Sequence, residues 1–132
     1  MLRYMLDTNI CIHVVKNYPP KLRERFNRLA EQLCISSVTL GELCYGAEKS
    51  ARRPQNIQAI EHFVGRLEIL SFSPRAAAHY GQIRAALERR GRPVGPYDML
   101  IAAHARAEGL TIVTNNIREF RRIPGMQIEN WV

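Results

Sequence analysis

The run GLTIVTNN, residues Gly109–Asn116, decides the fold. A glycine closes whatever precedes it, and Leu110–Val113 is short, apolar and rich in β-branched residues. Thr114, Asn115 and Asn116 then follow. An apolar run this short between turn formers reads as a strand buried on both faces. On its N-terminal side, Tyr97–Glu108 has helical spacing and follows the loop sequence GRPVGP, Gly91–Pro96. On its C-terminal side, a short helix is predicted at Ile117–Arg121 and an edge strand at Gln127–Ile128. Further out, Arg3–Leu6 and Leu33–Ile35 repeat the buried-strand pattern, and Ile69–Phe72 repeats it weakly.

Helices are predicted between these strands. One covers Thr8–Lys16, with Asn9 as its N-cap, and one runs from Pro19 to about Glu31. A third begins at Ser36–Ser37, with Leu40, Leu43 and Ala47 on one face. A fourth spans Asn56–Leu67, with Ile60, Phe63, Val64 and Leu67 as its stripe, after a loop at Arg52–Pro54. Ser73–Pro74, a capping residue followed by proline, starts a fifth over Arg75–Arg90, with Ala78, Ile83, Ala86 and Leu87 inward. Short buried strands alternating with helices predict an α/β fold around a mainly parallel sheet of about four or five strands.

At 132 residues and 46% apolar, the chain has the size and composition of one globular domain rather than of a disordered one. No stretch approaches the ~18 apolar residues of a membrane span, and the N-terminus lacks the pattern of a signal peptide, so a cytoplasmic location is expected. Cys11, Cys34 and Cys44 form no C-x-x-C pair and lie in apolar runs, which predicts three buried free thiols. The formal net charge is +7, and most of the bases are arginine. Codon composition gives one reading of that bias. A polyanionic partner gives the other, because guanidinium forks match phosphates.

The chain has only two aspartates, Asp7 and Asp98. Asp7 ends the first strand, and Asp98 opens the helix after the Gly91–Pro96 loop. Glu42 follows the second strand, and Thr114–Glu119 follows the fourth. Ligands of parallel α/β sheets bind at the carboxyl ends of the strands, so folding should gather these residues at one rim. Crowded carboxylates repel one another unless a cation sits among them. All-oxygen donors suit Mg²⁺ or Mn²⁺, which can serve phosphodiester hydrolysis. Each acid also has a plainer role open to it. Asp7 would cap the first helix, Glu42 would close a capping box with Thr39, Asp98 would complement a helix dipole, and Glu119 would pair with Arg118 or Arg122.

MLDTN, SSVTLGEL, GPYDMLIAAHA and IVTNN..EF, in this order, resemble the PIN-domain ribonucleases and more closely the VapC-type toxins of bacterial toxin–antitoxin pairs. The resemblance implies a single PIN domain over residues 1–132, a three-layer α/β/α sandwich. It implies an endoribonuclease using Mg²⁺ or Mn²⁺, with Asp7, Glu42 and Asp98 as its acids and with Asp7 and Asp98 on the metal. Many members have an aspartate where this chain has Asn116. Glu119 stands in for it in this reading, while Thr8, Asn9, Thr114 and Asn116 support the acids. The implied partners are a second copy of the chain, a cognate antitoxin that carries the contact with operator DNA, and an RNA substrate. That substrate is expected to be a tRNA, with the anticodon region of the initiator tRNA as the specific candidate.

Arg89, Arg90, Arg92, Arg118 and Arg121 flank the expected site loops and are candidates for RNA contacts. Tyr97 is a candidate for stacking on a base. The four histidines have no metal-binding spacing, and no phosphate-binding glycine loop is present. The rival reading is a catalytically degenerate module that binds RNA or antitoxin without cutting.

Overall fold

The computed structural model describes residues 1–132. Its five strands are β1 (Tyr4–Leu6), β2 (Leu33–Ser36), β3 (Glu68–Leu70), β4 (Thr111–Val113) and β5 (Ile128–Glu129). They form one sheet in the order β3-β2-β1-β4-β5, and every pairing is parallel. The sheet is therefore wholly parallel. The helices are α1 (Thr8–Val15), α2 (Pro20–Leu29), α3 (Ser37–Glu48), α4 (Arg53–Val64), α5 (Pro74–Arg89), α6 (Pro96–Ala107) and α7 (Ile117–Phe120). A 3-10 turn, Ala30–Gln32, joins α2 to β2.

Alternation along the strands divides the core in two. Tyr4, Leu6, Leu33, Ile35 and Val113 point to one face and pack with residues of α1–α4, including Ile10, Phe26 and Phe63. Met5, Cys34 and Ile112 point to the other and pack with residues of α5–α7, including Ile83, Ile101 and Phe120. Covered on both faces, the central strands need apolar side chains at every position, which is why they read as continuous runs. Beyond β1 the chain turns to opposite sides of the sheet, toward β2 and β4. The β1/β4 boundary is thus the switch point where such sheets open a crevice.

Several local expectations change. The first helix is capped by Asp7, not Asn9: Asp7 Oδ1 accepts the Ile10 N–H at 2.9 Å, while Asn9 is exposed inside the helix. No loop separates α3 from α4 at Pro54, because Arg53 and Pro54 form the first turn of α4, where proline loses no helical bond. On α5 it is Ala76 that is buried, with Ala78 exposed. Cys11 and Cys34 are buried, but Cys44 is exposed. It sits one residue from the inward Leu43, about 100° around the helix.

The α3 cap does structural work beyond its own helix. Ser36 Oγ accepts the Val38 N–H at 3.1 Å and lies 2.8 Å from Nδ1 of His104, which is fully buried on α6. Burial pushes the His104 pKa down, so the ring is neutral there. Phe72 packs edge-on against it. Two helices are thereby braced across the second core. Ser36→Ala removes a cap worth ~1 kcal/mol and strands a buried imidazole nitrogen, so a loss of about 2–3 kcal/mol is expected. Urea denaturation reads this directly, and a loss under about 0.5 kcal/mol would contradict the brace.

Candidate active site at the carboxyl edge of the sheet

β1 ends at Leu6 and α1 begins at Thr8, so Asp7 is held at the sheet edge by the chain on both sides. It is 2% exposed. Its backbone N–H donates to Val113 of β4 at 3.0 Å. One carboxylate oxygen caps α1, and the other accepts the hydroxyl of Thr114. Thr114 Oγ1 in turn accepts the Asn116 backbone N–H at 2.9 Å. The strand end that decides the fold therefore also clamps the first acid across the switch point. Burial raises the Asp7 pKa, and the bonds from Thr114 and Ile10 oppose that rise.

Glu42 projects from α3 and accepts the Thr8 hydroxyl at 2.5 Å. The capping box with Thr39 does not form, because the N-cap is Ser36 and Glu42 lies in the helix's second turn. Asp98 lies in the first turn of α6, behind Pro96, and is half-buried. Asn116 Nδ2 donates to Glu119 Oε2 at 2.7 Å and lies 3.5 Å from Asp98 Oδ2. Glu119 Oε1 accepts the Gly95 N–H at 2.7 Å. Its expected pairing with Arg118 or Arg122 is absent, since the ion pairs of the chain are Arg25–Glu129, Arg53–Glu48 and Arg84–Glu88.

The electrostatics differ between the acids. The Asp98 carboxyl is pushed up to about 6, first by burial and then by the charges of Glu119, Asp7 and Glu42. Asp98 is therefore the acid that feels the other three. Glu119 is held below its ordinary value, first by the Asn116 amide and then by the Gly95 N–H. Asn116 thus serves as a neutral donor joining two acids, which an aspartate there could not do.

The cluster fits a divalent cation in kind. Its donors are all oxygen, it lies partly out of water, and no Lys or Arg pairs with Asp7, Glu42 or Asp98. It is not closed, however: no three His, Cys, Asp or Glu side chains are already gathered as a ligand set. Asn9 does not join it: its side chain bonds none of the acids, and its carbonyl lies 2.7 Å from His13 Nδ1.

The arginines divide. Arg92, Arg118 and Arg121, together with Arg122, line an open hollow beside the acids. Arg89 and Arg90 end α5 outside it, exposed. Arg122 Nη1 donates to the Pro93 carbonyl at 2.7 Å, and the Gly95 N–H joins the site as a donor that the sequence did not single out. The doubled glycines and prolines of Gly91–Pro96 were the available signal. Tyr97 is 57% exposed next to Asp98.

No helix is long and apolar enough to cross a membrane. The PIN domain family model matches residues 4–126. The tRNA(fMet)-specific endonuclease VapC of Salmonella typhimurium is 57% identical over 131 residues, covering 99% of each chain. Ribonuclease VapC2 of Haemophilus influenzae is 52% identical over the full length of both. Among solved structures, a chain in the crystal structure of DNA-bound VapBC from Salmonella typhimurium superposes with a TM-score of 0.97 at 57% identity, covering all of both chains. One from VapBC2 of Rickettsia felis, bound to a promoter DNA fragment, gives 0.94 at 44% identity, covering 99% of this chain and all of the other.

Proposed function

The chain belongs to the PIN domain family, among the VapC ribonucleases, and from that premise we propose that it is the toxin of a toxin–antitoxin pair, a metal-dependent endoribonuclease acting on tRNA. The observation that carries this reading is the meeting of Asp7, Glu42, Asp98 and Glu119, from four separate elements, at the β1/β4 switch point. The relatives support the partner and the substrate class. Their names include a tRNA(fMet)-specific endonuclease, and their structures include VapBC bound to DNA. The initiator tRNA is the substrate to try first, the cognate antitoxin is the partner that carries operator DNA, and a homodimer of this one-domain chain is the working assembly.

Asp7 and Asp98 are the residues proposed to hold Mg²⁺ or Mn²⁺, with Glu42 and Glu119 completing the acidic set. When bound, the ion supplies an activated water and neutralises charge developing on the phosphoryl group. Thr114 and Thr8 fix the carboxylates of Asp7 and Glu42 by donating to them. Asn116 holds Glu119 and approaches Asp98, so neither is free to swing out. The test is cleavage of purified tRNA with Mg²⁺ or Mn²⁺ and with EDTA. Cutting is expected to stop in EDTA and return with excess metal. RNA binding without cutting at any metal concentration would instead establish the degenerate module.

A pH dependence follows. Below about pH 6 a cation must displace a proton from Asp98, so apparent Mg²⁺ affinity should fall about tenfold per pH unit there and level off above. Without metal, the raised pKa favours the folded state below about pH 4, and that contribution is lost as pH rises through about 6. Partial exposure discounts the effect to the order of 1 kcal/mol. The stability of wild type minus that of Asp98→Asn, measured from pH 4 to 8, isolates it. A flat difference would contradict the raised pKa.

A further inference from the structure

The hollow beside the acids has a volume of about 520 Å³ and is lined by Gly91, Arg92, Pro93, Arg118, Arg121 and Arg122, with the Pro93 ring as its only apolar side chain and no carboxylate among them. None of its four guanidinium groups takes part in an ion pair. Four like charges facing one concavity repel each other, and an anion between them would relieve that cost.

The walls are held in place. Arg122 clamps the Pro93 carbonyl, and Glu119 clamps the Gly95 N–H two residues further on. Two residues span at most ~7 Å, so the hollow and the acids are adjacent and share a wall. Helix α7 serves both. Arg118 and Arg121 lie three residues apart on one side, and Glu119 reaches Gly95 from another.

We propose that this arginine hollow is a phosphate subsite for single-stranded RNA, gripping a backbone phosphate that flanks the bond to be cut. The inference rests on the ribonuclease reading and adds where the substrate backbone runs. RNA fits the lining better than a protein segment does, because a protein contact of this size would need an apolar centre. A phosphate needs only forked donors.

The experiment uses the cleavage-dead Asp98→Asn protein and a short fluorescein-labelled single-stranded RNA, with anisotropy followed across a salt series. Arg118→Ala/Arg121→Ala is expected to weaken binding about tenfold at low salt. It should also make the plot of log affinity against log salt shallower by about 0.7, one phosphate contact on a single strand. Lys21→Ala/Arg28→Ala removes the same charge on α2, away from the hollow, and should leave the slope as it was. Arg118→Lys/Arg121→Lys should restore the slope but only part of the affinity, since ammonium groups keep the charge and lose the fork.

An unchanged slope in the alanine pair overturns the subsite, as does an equal loss in the α2 pair or a loss confined to antitoxin binding. All the substituted arginines are exposed, and thermal melts confirm folding. Because binding is read without cleavage, failure of the nuclease reading would appear separately, as wild-type protein that binds RNA through the hollow and never cuts it.

Discussion

Asp98→Asn should abolish RNA cleavage, by the order of a thousandfold or more, while making the metal-free protein more stable. The two effects have one origin. At neutral pH the carboxylate is half-buried, and that burial, followed by the charges of Glu119, Asp7 and Glu42, pushes its pKa up to about 6. An amide of the same shape removes that repulsion, for a gain of the order of 1 kcal/mol. It also removes the charge a cation needs, so stabilisation by added Mg²⁺ should be lost with activity. Asp7→Asn should lose activity to the same degree at little cost to the fold. Asparagine caps helices as well as aspartate does, and its amide can face the Thr114 hydroxyl, which can accept instead of donate. Thermal melts with and without Mg²⁺, run beside a cleavage assay, read all of this. Wild-type cleavage in either variant would remove that residue from the site.

Phe120→Ala should cost about 3–5 kcal/mol, the range for deleting a fully buried aromatic ring. Its functional cost should exceed what unfolding alone explains. Helix α7 is four residues long, too short to be stable by itself, and Phe120 is its anchor in the second core. Glu119, Arg118 and Arg121 depend on that anchor for their positions. At temperatures where the variant is still folded, cleavage should therefore fall and proteolysis around α7 should rise. Urea unfolding gives the first number, and a loss below about 1 kcal/mol would contradict the packing.

The sequence exposed most of what depends on short-range rules. Ser73–Pro74 begins a helix because the side chain caps and the proline tolerates the first turn, and Ser73 Oγ does accept the Ala76 N–H. The buried strands were legible because burial on both faces leaves only apolar residues. The convergence of Asp7, Glu42 and Asp98 followed from parallel topology. Directions within helices were harder. Ala76 and Ala78 look alike in sequence, and only the packing of α5 against α6 chooses between them. Asn9 and Asp7 are both good caps, and the choice turns on where β1 stops. Partnerships across long separations were not legible at all. Nothing near His104 announces Ser36, and nothing near Asn116 announces that its amide joins Asp98 to Glu119.

The hydrogen bond between Asp7 and Thr114 spans 107 residues, and its effect is also one of timing. A ribosome adding about 5–20 residues per second releases the first acid many seconds before the strand that clamps it. Until β4 and α7 have emerged, β1 lacks one neighbour, the α1 cap has one oxygen unclaimed, and neither Asn116 nor Glu119 exists to complete the edge. A nascent or C-terminally truncated chain ending before Thr114 therefore carries three of the acids with nothing to hold them as a set. The carboxyl edge of the sheet is therefore assembled last, from the two ends of the chain.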